Sequence, residues 1–429
     1  MTPSAEPKLP VLVAPAPSAA GRGGRFAAPV TFVVLGLADV LLFGLHARGH
    51  AAFAFTPEFA KVTVPDLTLP AAATCYACGA LTFAFAGLRL LLTTRGWRRA
   101  LLILVLFGFV VSLLAWSDGG QSIPFNVVNL LSGTFSDSIP IMLGALTGVI
   151  CSTSGVINIA IEGQLLLGAF CAAVAASVTG SLWLGLVCGA LAGSLVAGLL
   201  ALFAIAYAVD QVVLGVVLNT LVLGLTGYLY NAIMVPYGNT VNNPPTFGPV
   251  KIPLLGDIPI IGPVFFDATV FLYLTYILLL GVHTGLFRTR WGLRTRAIGE
   301  HPVAADTVGI RVVAMRYRNV IVSGLIAGIG GAYFTIGSVG SFGQNMSSGE
   351  GYIALAAMIF GRYTPVGAVL AALLFGFTTQ LQSVMSSINV PIQSNLLLLT
   401  PYVVTIVVVA GLVGKVRGPR AEGVPYVTS

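Results

Sequence analysis

Leu182–Tyr207 reads LWLGLVCGALAGSLVAGLLALFAIAY, a run without a single charged side chain. A helix needs about 20 apolar residues to cross the hydrocarbon core of a bilayer. The apolar residues here are continuous and do not alternate every second position, which selects a helix over a barrel strand. In lipid every backbone N–H and C=O must find a partner, and a helix satisfies them within the span. This run is therefore read as a membrane helix.

Similar runs lie near 28–46, 70–92, 100–116, 136–152, 160–179, 211–233, 268–287, 319–340, 352–384 and 392–413. The 352–384 run exceeds one span, and Gly361, Arg362 and Pro365 are expected to break it into a short piece and a full helix. The fold expected is all-α, a polytopic transmembrane helical bundle of about eleven or twelve segments with broken helices. Composition agrees. The chain has 429 residues, 57% of them hydrophobic and only 8% charged, against about 25% charged in soluble domains.

The net charge of +7 sits in loops, so it reads as a topology signal and not as a nucleic-acid surface. One face carries Arg22, Arg25, Arg95, Arg98, Arg99, the seven arginines from Arg288 to Arg318, Lys415, Arg417 and Arg420; the other carries Arg48, Lys61 and Lys251. The positive-inside rule makes the basic face cytoplasmic, with both termini there. Residues 1–27, rich in Pro and Ala, read as a disordered cytoplasmic tail and not a cleaved signal peptide, because the basic residues come late. Residues 416–429 read as a second cytoplasmic tail, 28–125 as extra N-terminal helices, and 126–415 as the core. The five cysteines, including the Cys75/Cys78 C-x-x-C, lie in or beside apolar segments and read as packing residues, without metal or redox function.

Small residues four apart, Gly185, Gly189 and Gly193 and again Gly324 and Gly328, allow close helix approach, which general membrane packing explains better than a specific dimer face. Gly155–Phe170 (GVINIAIEGQLLLGAF) and Gly343–Phe360 (GQNMSSGEGYIALAAMIF) each run from a Gly/Asn/Ser-rich start through Glu-Gly into an apolar helix. The span count has them run in opposite directions, as an inverted repeat would.

The long basic loop Arg288–Asn319 contains a punctuated short helix: Pro302 suits a first helical position and Gly309 a left-handed terminus. Two turns with small residues form a rod of about 10 Å that fits a groove on a soluble partner. A plain solvated loop held in place by its arginines fits the spacing equally well.

Leu293–Ile310, LRTRAIGEHPVAADTVGI, resembles the coupling-helix segment of ATP-binding-cassette importer permeases, in the branch serving nucleosides and related to ribose and branched-chain amino acid permeases. Ser154–Gly163 (SGVINIAIEG), Pro253–Gly262 (PLLGDIPIIG) and Gly331–Arg362 resemble further motifs of that branch in the same order. Ala160 and Glu350 depart from it, where relatives more often carry Gly and Arg. The resemblance implies that 126–415 is a permease core of the bacterial inner membrane, with Gly299, Glu300, Pro302, Ala304, Ala305, Asp306 and Gly309 coupling it to a cytoplasmic ATPase. It also implies a second related permease subunit and an extracytoplasmic substrate-binding lipoprotein. No G-x-x-x-x-G-K-[ST] loop occurs; the nearest fragment, Gly411–Val416 (GLVGKV), lacks the first glycine and final hydroxyl. ATP hydrolysis is thus expected on another polypeptide, and no catalytic residue, cofactor or metal here.

Polar groups are costly in lipid and so mark the substrate pathway or interhelical hydrogen bonds. Asn158, Glu162, Gln164, Asn219 and Asn345 are the pathway candidates, with Tyr333 and Phe342 offering faces to a base or sugar; Gln211, Gln380, Gln382 and Tyr228 are weaker ones. Glu162, at an expected helix start, suits capping as well as transport. Two other classes compete. An ion-coupled secondary transporter of a small polar solute would want more ionisable groups at mid-membrane. A membrane enzyme would want a motif that the scattered His46, His50, His283 and His301 do not make.

Overall fold

The computed structural model describes residues 23–56, 64–92, 94–121, 123–388 and 417–426. The expected 392–413 span, Lys415 and most of the N-terminal tail lie outside these residues. The chain divides into two compact units, Met1–Ala51 with Leu69–Gln121, and Ala52–Thr68 with Ser122–Ser429.

The first unit holds α1 (Gly23–Ala38), continued by a π-helical turn Asp39–Gly44, then α2 (Ala71–Leu91) and α3 (Arg95–Asp118). Phe32, Ala86, Leu101 and Val105 form its core, and Phe43 packs on Phe109 and Trp116 with ring centroids 5.6 and 5.3 Å apart. Cys75 is buried and its Sγ donates to the Ser112 carbonyl at 3.4 Å, the behaviour of a packing residue.

The second unit opens with α4 (Val127–Thr153), α5 (Ile161–Thr179), α6 (Leu182–Ala201) and α7 (Gln211–Leu229), the last two each ending in a π-helical turn. A loop follows with the short α8 (Gly238–Val241) and α9 (Ile261–Phe265), where Pro249–Lys251 pairs antiparallel with Asp267–Thr269. After α10 (Val270–Arg288) come α11 (Arg290–Glu300), α12 (Pro302–Thr307), α13 (Val312–Ala332) with its π-helical extension Tyr333–Val339, α14 (Glu350–Phe360) and α15 (Pro365–Ser387). Among the described residues nine helices are long and apolar enough to cross a membrane, and Pro29–Gly44 and Glu350–Phe360 are shorter apolar helices. The bundle is all-α and polytopic.

The 352–384 run breaks where Gly361, Arg362 and Pro365 stand. Arg362 and Tyr363 take left-handed φ of 55° and 57°, and Thr364 caps α15. Helix α4 begins well before the expected residue 136. Asn126 caps it by accepting from Asn129 N at 3.0 Å, and its polar first half is sheltered: Thr134 and Ser138 are buried, with Ser138 against Gly376 of α15.

Packing in this unit is reciprocal. α4 packs on α15, α13 and α14, whereas α13 packs on α6, α5 and α4. Each of α4 and α13 thus packs on the two helices that follow the other, as an exchange of equivalent elements between two repeats would require. The four-apart glycines work inside the chain: Gly189 and Gly193 of α6 meet Gly324 and Gly328 of α13, backbone on backbone.

Candidate functional site

Helices α5 and α14 both start in mid-bundle after irregular segments, 154–160 and 340–349. Irregular backbone at membrane depth survives only where protein satisfies it, and here one carboxylate does much of that. Glu162, 8% exposed, accepts from Ser347 Oγ at 2.6 Å, Gly349 N at 2.8 Å and Gly351 N at 2.7 Å. It is a cap, but of α14 and not of its own helix. Negative charge is favoured where the first amides of a helix point. Gly351 has no room for a side chain, because a Cβ there would lie 2.5 Å from Glu162 N.

Asn219 of α7 braces the other half. It accepts from Gly163 N at 2.8 Å and donates to Ile159 O at 2.9 Å and Tyr352 Oη at 3.0 Å. Asn158 and Gln164 exchange amide hydrogen bonds at 3.2 and 3.3 Å, and Gln211 accepts from Ile157 N at 2.7 Å. From this junction the two helices leave in opposite senses. Ser177 near the end of α5 meets Asn243 in the loop preceding α10, and Tyr363 just past α14 meets Glu422 near the basic loop that follows α10.

Four of the expected pathway residues, Asn158, Glu162, Gln164 and Asn219, thus gather at this junction as hydrogen-bonded braces. Tyr333 is buried with its ring 5.4 Å from Phe271, and Phe342 packs on Phe170 at 5.2 Å and Tyr230 at 6.1 Å. Asn345 stands apart as an exposed turn residue with φ 53°. Glu350 has one carboxyl oxygen buried without a hydrogen-bond partner, and the charges facing it are Asp137 and Glu162.

At the basic end, α12 has the expected punctuation: Pro302 begins it and Gly309 beyond it has φ 83°. Glu300, Ala304, Asp306 and Gly309 are exposed and Pro302 half-buried. Ala305 is not on the outer face, as the small-residue reading required. It is 3% exposed in a small core with Ile298 and Val312, and the outward apolar groups are Val303 and Val308. Gly299 packs against the Thr153 carbonyl, leaving no space for a side chain.

A family model described as branched-chain amino acid transport system / permease component matches residues 130–418. The chain belongs to this permease family. The guanosine ABC transporter permease protein NupQ of Bacillus subtilis is 38% identical over 318 residues, 70% of this chain and 98% of that protein. The nucleoside ABC transporter permease protein NupC of Lactococcus lactis is also 38% identical, over 71% of this chain and 99% of its own length. NupP of B. subtilis, a guanosine ABC transporter permease protein too, is 24% identical over 68% of this chain and 86% of its length. No solved structure matches. As a family member the permease is a transport component and not an enzyme.

Sequence reasoning missed two parts of the permease. Asp137 stood in an interrupted apolar run, and only packing brings it to Glu350. Residues 417–426, read as a tail, are folded onto the basic end. Ala421 N donates to Gly299 O at 2.9 Å, Gly423 N to Gly155 O at 3.2 Å, and Tyr426 Oη to Asp306 Oδ2 at 2.8 Å. The buried Arg316 donates to Val424 O at 3.1 Å, and Glu422 reaches Ser152 and Tyr363. Burial pushes the Glu422 carboxyl above the usual carboxylate range, and the neighbouring Ser152 and Tyr363 hydroxyls partly oppose the shift. The Gly418 and Gly423 spacing was the available signal, and periodicity does not register so short a segment.

Proposed function

We propose that this permease imports nucleosides across the bacterial inner membrane, driven by ATP hydrolysis on a separate cytoplasmic subunit. The observation that carries the reading is the 38% identity to NupQ and NupC over nearly the whole of each. The basic loop 288–318 and both termini face the cytoplasm, in keeping with seven arginines in that loop. A second related permease completes the channel, a reading supported by the similarity of both NupQ and NupP from one organism. An extracytoplasmic lipoprotein delivers the substrate.

Co-produced with these partners, the permease should take up labelled guanosine or uridine in proteoliposomes when ATP is enclosed, even after ion gradients are collapsed. Uptake that follows an imposed H⁺ or Na⁺ gradient without ATP would overturn the reading in favour of an ion-coupled carrier.

The 302–307 helix couples the permease to the ATPase, with Ala304, Val303 and Val308 as its outward contact. Ala304→Arg should leave folded yield unchanged and cut ATP-driven uptake. Ala305→Arg should instead lower folded yield, because overpacking a small core costs about 1–3 kcal/mol. Undiminished uptake with Ala304→Arg would remove α12 from the coupling contact.

A further inference from the structure

We propose that residues 417–426 are a transmission strap, positioning α12 against the break between α4 and α5 and so setting how much transport each ATP drives. The inference rests on the ATP-driven reading above. Three observations carry it. First, the strap touches α12 through Tyr426 Oη on Asp306, and the Tyr426 side chain also packs on the Ile298–Ala305–Val312 core beneath that helix. Second, it holds the start of the break, with Gly423 N on Gly155 O and the Ala421 carbonyl close against Gly155. Third, the same short segment reaches the turn after α14, where Gly418 lies against the Tyr363 ring, and α13, where Arg316 donates to Val424 O.

The break that the strap grips leads within a few residues to Asn158 and Glu162, which hold the meeting point of α5 and α14. The connection from α12 to that junction therefore runs through the Tyr426–Asp306 and Gly423–Gly155 hydrogen bonds and the short backbone between them. Two glycine features make the strap a fitted part. Gly423 has φ 75°, and a Cβ there would lie 2.7 Å from Ile157 Cδ1, in the break itself. Gly155 has φ 86° and a Cβ there would lie 2.7 Å from Arg316 Nη2. At Gly155 the strap's own Ala421 carbonyl would lie 3.2 Å from such a Cβ. Ala421, 6% exposed, is buried as a core residue is.

The test uses the complete importer in proteoliposomes and reads nucleoside taken up per ATP hydrolysed. Tyr426→Phe keeps the ring and removes only the bond to Asp306. It should lower the ratio by about twofold, the low end of what a net hydrogen bond carries, since this one is exposed, with complex yield and ATPase rate near wild type. Gly423→Val should lower the ratio further, by displacing the strap from Ile157. Truncation after residue 416 checks that the effects belong to the strap: it should match or exceed Gly423→Val. If wild type shows no ATP-driven uptake, the functional reading falls and the strap with it. If wild type transports and the ratio is unchanged in Tyr426→Phe and Gly423→Val, the strap inference alone is overturned. A parallel fall of yield, ATPase and uptake at constant ratio assigns the segment a purely structural role and likewise overturns it.

Discussion

Glu162→Ala should abolish uptake and sharply reduce the amount of folded permease. The carboxylate accepts three hydrogen bonds from residues 347–351, two of them from backbone amides at the start of α14. Alanine would strand those amides, of which that of Gly351 is buried. Each buried donor left unmatched costs about 1–3 kcal/mol, so the loss of all three bonds adds to several kcal/mol. Glu162→Gln should lie between. Its amide oxygen keeps acceptor capacity, but its NH₂ group would face a backbone donor, at about 1–3 kcal/mol for a donor left unmatched. Thermal unfolding of detergent-solubilised protein should rank wild type above Gln above Ala. An alanine variant as stable as wild type would show that the α14 start does not depend on this residue.

The second large effect belongs to the crossing of α6 and α13. A Cβ at Gly328 would strike the Gly189 carbonyl and lie 2.8 Å from Ala190 Cα, and one at Gly193 would lie 2.5 Å from Gly324 O. Each obstacle is backbone, which cannot swing aside as a side chain does. Gly328→Val must therefore separate two helices along their contact. Without a hydrophobic driving force in lipid, close packing is most of what holds such helices together. The expected cost is at least the roughly 3 kcal/mol at the upper end of ordinary overpacking, seen as lost folded yield and a lower unfolding temperature. Gly198→Ala is the matched control on α6, since a Cβ there meets nothing within 4 Å. It should leave stability unchanged or slightly raised. Equal behaviour of the two variants would mean that the crossing is not close-packed.

Some of this was legible in the chain itself. Leu182–Tyr207 and its counterparts determine the membrane helices because the length and apolarity needed to span lipid are properties of a segment alone. The break at Gly361–Pro365 and the Pro302/Gly309 punctuation are equally local, since proline and glycine act through their own backbone. The polar residues of the core were also visible as expensive and so meaningful. Their roles were not. Glu162 was legible as a capping residue, yet the helix that it caps begins at Glu350, and no local rule links positions so far apart. Ala305 and Ala304 are identical neighbours with the same propensities, and only the packing of α11 and α13 decides that the first is buried and the second exposed. Asp137 and the 417–426 segment lie on the same side of that line. Backbone conformation follows from near neighbours along the chain, whereas burial and pairing depend on which distant surfaces arrive, and that is settled by the tertiary fold.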